Sequence, residues 1–379
     1  MTRIVTGFVC LCLVSITSLF AQEGKINPKD LTAAELEQVD DDFAYQGEYV
    51  GSVNGLKTGL QVIALGGGKF EALALTGGLP GAGWDGQGRW RMNGERTGTD
   101  LIFSRKAYLE TSNSSDPAVS QVETTLSYDV DGEKVRVSTA DGKQLGALKK
   151  VHRKSPTLGL APPWEATTLF DGDDLWQFRT GFITEEGWLE TQPGKREDAY
   201  LKHGYQDFIL HVEFRVPYQP YARGQGRGNS GCYLQSRYEV QILDSFGLDL
   251  QFNDCGSLYR VKAPDLNMCL PPLSWQTYDI VFHGARFNGK GEKTRNVVIT
   301  VWHNGVKIHD HFELDQKTGA GKQETPEVLV TRFQDHGNPV RFRNLWIIDL
   351  KQPVPAPMAH PDFVPWSPEQ FLSKQQSSR

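Results

Sequence analysis

The stretch GNSGCYLQSRYEVQILD, residues 228–244, decides how this chain is read. It opens as a turn and becomes a strand. From Tyr238 the side chains alternate. Tyr238, Val240 and Ile242 point one way, and Glu239, Gln241 and Leu243 the other, because a strand has a side-chain period of two. Glu and Gln are poor strand formers and costly to bury without partners. Two of them in register on one face mark a surface built to hold something polar. Asp244 closes the strand, and a one-residue bulge there would bring its carboxylate onto the same face.

The neighbouring sequence places this strand in a sheet. DFILHVEFRV (207–216) puts Phe208, Leu210, Val212, Phe214 and Val216 on a buried face, and Ile209, His211, Glu213 and Arg215 on a wetter one. Residues 276–282 repeat the pattern. A strand at 296–302 is turned by Asn304-Gly305 into 306–309, and 340–350 is the last strand, with Arg341 and Arg343 opposite Val340 and Phe342. Many short strands with Gly and Pro turns, and no long helical period, predict a sandwich or jelly roll over 164–350.

Residues 41–150 predict a small antiparallel β domain, with strands at 47–53, 59–65, 69–75, 100–105, 123–130 and 134–139. The Gly-rich run 76–88 lacks the GK[ST] ending of a phosphate loop. It reads as a mobile loop, with a reach over the second module's site as the alternative. Residues 151–163 hold basic residues and prolines and read as a linker. The tail, 351–379, is Pro-rich and then polar.

At the N-terminus Arg3, a mostly apolar run over 4–20, and Ala21 before polar residues make 1–21 a signal peptide. The mature protein is expected to be exported, periplasmic or extracellular, with no stable membrane span. A lead-in follows, with a short helix predicted at 31–38. With 379 residues there is room for two domains, and 39% hydrophobic with 23% charged residues fits a folded, soluble chain. A net charge of -6 argues against nucleic acid as a partner. Cys232, Cys255 and Cys269 remain after cleavage, and Cys255 with Cys269, flanking one loop, is the candidate disulfide. No CxxC or HxxxH spacing supports zinc. Asp254 and Asp265 could hold calcium, but no EF-hand pattern backs them, so no metal or cofactor is expected.

Five segments in order then resemble the 3-keto-disaccharide hydrolase domain family. They are LFDGDDLWQF (169–178), YQDFILHVEFR (205–215), the opening stretch to Ser245, SWQTYDIVF (274–282), and ITVWHNG (299–305) with QDHGNPVRFRNLWI (334–347). The resemblance covers about residues 164–350. It implies an all-β concanavalin A-like jelly roll, preceded here by the small antiparallel β domain. It also implies an oligosaccharide or keto-sugar as ligand, and cleavage of glycosides that carry a ketone at C3.

That chemistry has definite needs. The ketone acidifies the C2 hydrogen; a base removes it, the enolate expels the C1 substituent, and water adds back. A base, an enolate stabiliser and an acid are required. Glu239, His336, Asp244 and the basic Arg341 or Arg343 supply these types, with Glu239, His336 and Asp244 the candidate catalytic residues and Arg341 and Arg343 candidates for substrate binding. Asn229, Gln241, Tyr259 and Trp275 are candidates for holding the sugar, with core packing the alternative for each aromatic. An ordinary retaining glycosidase needs two carboxyl groups about 5–5.5 Å apart, and Gln241 stands where a laminarinase-type strand carries an acid. The remaining alternatives are a non-catalytic carbohydrate-binding groove, and a Glu239 that pairs structurally with Arg237 or Arg343.

Overall fold

The structure, a computed structural model, describes residues 40–110, 121–191 and 195–350. The expected signal peptide (1–21), the helix expected at 31–38 and the Pro-rich tail lie outside the described residues. Eight antiparallel strands form a closed barrel in chain order: β1 (Gly47–Val53), β2 (Leu56–Gly66), β3 (Lys69–Thr76), β4 (Arg89–Thr97), β5 (Asp100–Glu110), β6 (Gln121–Val130), β7 (Lys134–Thr139) and β8 (Gln144–Val151). β4 and β8 were not expected from the sequence, and they are the strands that let the sheet close. Both are poor in buried side chains: Met92 is the buried residue of β4 and Leu148 that of β8. Their alternation is therefore faint. β8 pairs with both β1 and β7, and closure leaves the barrel without a sheet edge.

The second module is a two-sheet sandwich. Its strands are β9 (Thr167–Phe170), β10 (Phe182–Ile183), β11 (Leu189–Glu190), β12 (Ala199–Gly204), β13 (Asp207–Arg215), β14 (Ser230–Leu234), β15 (Tyr238–Ile242), β16 (Gln276–His283), β17 (Arg286–Phe287), β18 (Lys293–Arg295), β19 (Val297–His303), β20 (Val306–Leu314), β21 (Val330–Phe333) and β22 (Arg341–Asp349). The larger sheet runs β10-β11-β22-β13-β16-β19-β20, with β9 beside β22; the smaller runs β12-β21-β14-β15. Phe208, Leu210, Val212, Phe214 and Phe342 of one sheet meet Cys232, Leu234, Tyr238, Val240 and Ile242 of the other in one core. Asn304 and Gly305 both adopt positive φ (50° and 77°), as the expected Asn-Gly hairpin requires.

The face of β13 expected to be wet is buried. The linker covers it: Ser155 and Thr157 hydroxyls contact Thr277, Thr157 donates to Asp279 (2.7 Å), and the Gly159 N–H donates to Glu213 (2.5 Å). Fully buried His211 lies 2.7 Å from Asp279 and 3.7 Å from Glu213. Burial alone would lower its pKa, but the two carboxylates outweigh burial and raise it to about 9. An ion cluster thus replaces water on this face, and the linker is a packed strap rather than a tether.

The modules exchange side chains. Tyr218 of the sandwich is fully buried in the barrel core, and Ile63 of the barrel is buried in the sandwich core. Gly247, with φ +68°, makes room for Ile63, whose Cδ1 would lie 2.6 Å from a Cβ there. The Gly-rich 76–88 run is packed, not loose: Leu79 is buried, Pro80 accepts from Arg153 (2.6 Å), and Gly81 abuts Met268 and Val306. Cores joined in this way should melt together. Tyr218→Ala is expected to cost about 3–5 kcal/mol while Tyr218→Phe retains most of the stability. Urea unfolding followed by tryptophan fluorescence checks this, and two separate transitions in the wild type would contradict it.

Candidate functional site

β15 lies between two partners. β14 pairs along one edge, setting Gly231 opposite Gln241 and Tyr233 opposite Glu239. Along the other, segment 256–259 bonds it through Gln241 N to Ser257 O (3.0 Å), Gly256 N to Gln241 O (2.9 Å) and Tyr259 N to Glu239 O (3.1 Å). The core-facing residues alternate as expected until Ile242 and Leu243, which both enter the core. Leu243 therefore does not share the face of Glu239 and Gln241, and this local irregularity releases Asp244.

Glu239 is 2% exposed, yet its Oε2 has no hydrogen-bond partner. The carboxyl group takes the Tyr233 hydroxyl hydrogen bond and feels the charge of Arg332. Burial pushes its pKa up to about 7, with Tyr233 and Arg332 pulling the other way. Gly231 makes the arrangement sterically possible, because a Cβ there would collide with Glu239 Oε1 and come within 2.9 Å of the Tyr233 ring. The Arg332 guanidinium lies 3.7 Å from the centre of the Tyr233 ring and is ion-paired with Asp198. Arg237, considered as a structural partner of Glu239, is instead turned to the carbonyls of Gln323 and Glu327 and to Thr325 (2.9, 2.9 and 2.7 Å).

A polar row continues from Glu239. Gln241 donates to the Gln225 side chain (3.0 Å), and Asn229 donates to the Gln225 carbonyl (2.7 Å). Arg227 donates to Asp244 (2.7 Å), whose other oxygen accepts from the Phe246 N–H (3.3 Å). Asn229 Oδ1, Arg227 Nη2 and Ser257 Oγ are, like Glu239 Oε2, buried without partners. Buried polar atoms are normally satisfied, so four orphans on and around one strand indicate a place where a polar ligand or water completes the bonding. His336 is exposed on the loop before β22. That loop is fastened to the same row: Asn229 N donates to Asn338 Oδ1 (3.0 Å), Ser230 Oγ to Gln334 O (2.7 Å) and Gln334 N to Gly231 O (2.9 Å).

The fold thus brings Glu239, Gln241, Asn229 and Asp244 to one side, with half-buried Tyr259 following Ser257 on the flanking segment and His336 at the rim. It does not bring Trp275, Arg341 and Arg343 there. Phe342 points into the core, so its neighbours Arg341 and Arg343 face out from the larger sheet, on the far side of the sandwich. Arg343 pairs with Glu213 (2.7 Å) and lies over Trp275. These arginines do not stand beside Glu239, because alternation along β22 fixes which side chains share a face but not which sheet the strand joins. Arg332, Arg227, Tyr233, Gln225 and Asp198 take their place. Tyr233 was within reach of sequence reasoning, two residues from Gly231 on the partner strand; Arg332, on β21, and Asp198, just before β12, are distant in sequence and carry no local signal.

The expected partners Cys255 and Cys269 lie side by side, as buried free thiols that hydrogen-bond each other; Cys255 is also 3.2 Å from the Tyr278 hydroxyl and Cys269 points to the Leu243 carbonyl. Among the described residues no three His, Cys, Asp or Glu side chains converge as a metal site. Asp254 accepts the Gln251 N–H (2.9 Å) and Asp265 pairs with Lys262 (2.5 Å).

A family model described as a 3-keto-alpha-glucoside-1,2-lyase-like domain matches residues 165–348, which is the second module and just under half of the chain. Two crystal structures of candidate glycosyl hydrolases from Parabacteroides distasonis ATCC 8503 are similar to it. One is 30% identical, over 50% of this chain and 86% of that one, with a TM-score of 0.45. The other is 20% identical, over 49% and 94%, with a TM-score of 0.35. No curated protein matches. The second module is thus a carbohydrate-active domain.

The raised pKa of Glu239 carries a stability signature. Because the native value lies above the unfolded one, the native state holds the extra proton between pH 4.5 and about 7, and stability falls as pH rises through that window. A rise from 4.5 to about 7 corresponds to roughly 3 kcal/mol. Glu239→Gln should therefore be more stable than the wild type by up to about 3 kcal/mol above pH 7 and similar to it below pH 4.5. Chemical denaturation across this range checks it; a variant uniformly less stable would contradict the burial argument.

Proposed function

We propose that the protein cleaves 3-keto-glycosides by elimination followed by hydration, with Glu239 as the base. The observation that carries this reading is a buried carboxyl group with one unpartnered oxygen and a pKa near 7, facing a row of other unpartnered polar atoms. A base of that pKa is half-ionised near neutrality and is strengthened by exclusion of water. Glu239 removes the C2 proton. The electron pair passes to the C3 carbonyl as an enolate, then re-forms the carbonyl and drives out the C1 substituent, leaving a C1–C2 double bond. Water adds at C1 and a proton returns to C2, giving the free keto-sugar and the released alcohol.

Arg332, braced by Asp198, and the Tyr233 hydroxyl are the candidates to hold the enolate oxygen. His336, exposed at the rim, is the candidate acid for the departing oxygen. Asn229, Gln241, Arg227 and Ser257 offer both donors and acceptors to sugar hydroxyls, and Asp244 positions Arg227. The retaining-hydrolase alternative is disfavoured by a specific feature: it needs a second working carboxylate, but Asp244 is tied to Arg227 and Asp198 to Arg332.

The assay is release of sugar from 3-keto-trehalose or 3-keto-lactose in deuterated water. We expect deuterium at C2 of the product, kcat/KM rising with pH through about 7, and a loss of about 10²–10⁴-fold in Glu239→Gln. Turnover unchanged in Glu239→Gln, or product without deuterium, would sink the mechanism. We further propose that residues 1–21 direct export. The mature chain should then begin at Gln22, and N-terminal sequencing of secreted material that finds Met1 retained would refute it.

A further inference from the structure

The residues that the fold carries away from Glu239 make an arrangement of their own. On the outer face of the larger sheet, Arg215 of β13 pairs with Arg341 of β22, and Glu213 with Arg343. Trp275 immediately precedes β16, whose Gln276 lies opposite Phe214, so it flanks this row. Trp188, from the β10–β11 hairpin, lies across it. The Arg215 and Arg341 guanidiniums are 4.8 and 5.2 Å from its ring, and its ring meets that of Trp275 edge-on at 5.4 Å. Arg343 is 4.2 Å from the Trp275 ring. Three guanidiniums therefore contact two indoles.

The carboxylates nearby are unevenly shared. Arg341 has Glu190 (3.3 Å) and Glu186 (3.6 Å), and Arg343 has Glu213 (2.7 Å). Arg215 makes no ion pair with any carboxylate among the described residues. Burial, with repulsion from Arg341 and Arg343 and against the attraction of nearby Glu186, lowers its pKa to about 10. Arg215, Trp188 and Trp275 are nevertheless only half-buried, so the group can be reached from solvent.

We propose that Arg215, Trp188 and Trp275 form an accessory binding site for saccharides bearing a carboxylate or sulfate, on the side of the sandwich opposite Glu239. A planar guanidinium offers parallel N–H donors to either oxyanion. Two indoles provide apolar walls with a polar edge for the sugar ring. Arg341 and Arg343 already have carboxylates, so Arg215 is the guanidinium that an anion would pair, which a neutral sugar would not.

Calorimetric titration of the full chain with tetragalacturonate, a heparin-derived tetrasaccharide and cellotetraose separates carboxylate, sulfate and neither. Saturable binding of one or both charged probes is expected, and none of cellotetraose. The affinity should drop at least about tenfold in Arg215→Gln and in Trp188→Ala, and fall as NaCl is raised from about 50 to about 300 mM. Glu239→Gln should bind as the wild type does, and Arg215→Gln should still cleave the keto-glycoside, so this proposal and the reaction fail independently. Trp188→Ala alters only a short hairpin and keeps the test open if Arg215→Gln does not fold. Equal binding of cellotetraose, undiminished binding by the folded variants, or no saturable binding of either charged probe would overturn the proposal.

Discussion

Holding a carboxyl group out of water with one oxygen unbonded is unfavourable, and much of the sandwich is arranged so that Glu239 can be held this way. The group cannot escape by rotating into the core, which Tyr238 and Val240 already fill. It cannot be reached by a side chain at position 231, because there is none. Its two modulators act in opposite senses to burial: the Tyr233 hydroxyl and the Arg332 charge favour the anion, but Arg332 is itself shared with Asp198. The outcome is a proton held near neutrality rather than lost or locked on, the condition that proton transfer at a carbon acid requires.

The same sandwich shows how differently two polar faces can be used. On the larger sheet, His211, Asp279 and Glu213 are as deeply buried as Glu239, but each has its partner, and Glu213 stays ionised. Burial opposes its charge, but hydrogen bonds from His211, Asn344, Gly159 and Arg343 hold its pKa down at about 2. Paired in this way, buried charges fasten a linker. The cluster contains His, Asp and Glu, the residue types of an active centre, and composition alone would not tell it from one. The orphaned atoms do: they accompany Glu239 and are absent from the side chains of His211, Glu213 and Asp279.

The sequence made the sandwich readable because its strands alternate strongly, and because Gly231, Glu239, Gln241 and Asp244 lie within a single hairpin whose register follows from the period of two. Closure of the barrel was not readable, since β4 and β8 each bury a single side chain and β1 meets β8 across about a hundred residues. The arginines show the limit most clearly. Arg332 and Arg343 both follow or flank buried apolar residues within a strand, and nothing local distinguishes the one that joins β14 from the one that joins β13. Which sheet a strand joins is a long-range property, and the site depends on it.

The barrel's place in this scheme follows from where it touches. Gln225 belongs to the loop before β14, and Asp244 is followed by the loop after β15; both loops are held by one side of the barrel. Arg223 donates to the Leu65 carbonyl (3.0 Å), and Tyr221 packs against Gly66. On the other loop, Arg91 donates to the Gly247 carbonyl (2.9 Å) and to Asp249 (3.0 Å), and Arg89 also pairs with Asp249. Exposed ion pairs of this kind are individually weak, but they flank Ile63, whose burial in the sandwich core fixes the contact. Loops that carry ligand-facing groups ordinarily lose precision to their mobility. Here both are clamped to a closed barrel, which has no free edge and little freedom to deform, so the spacing of Gln225, Arg227 and Asp244 is set by a second folded body as well as by the strands they adjoin.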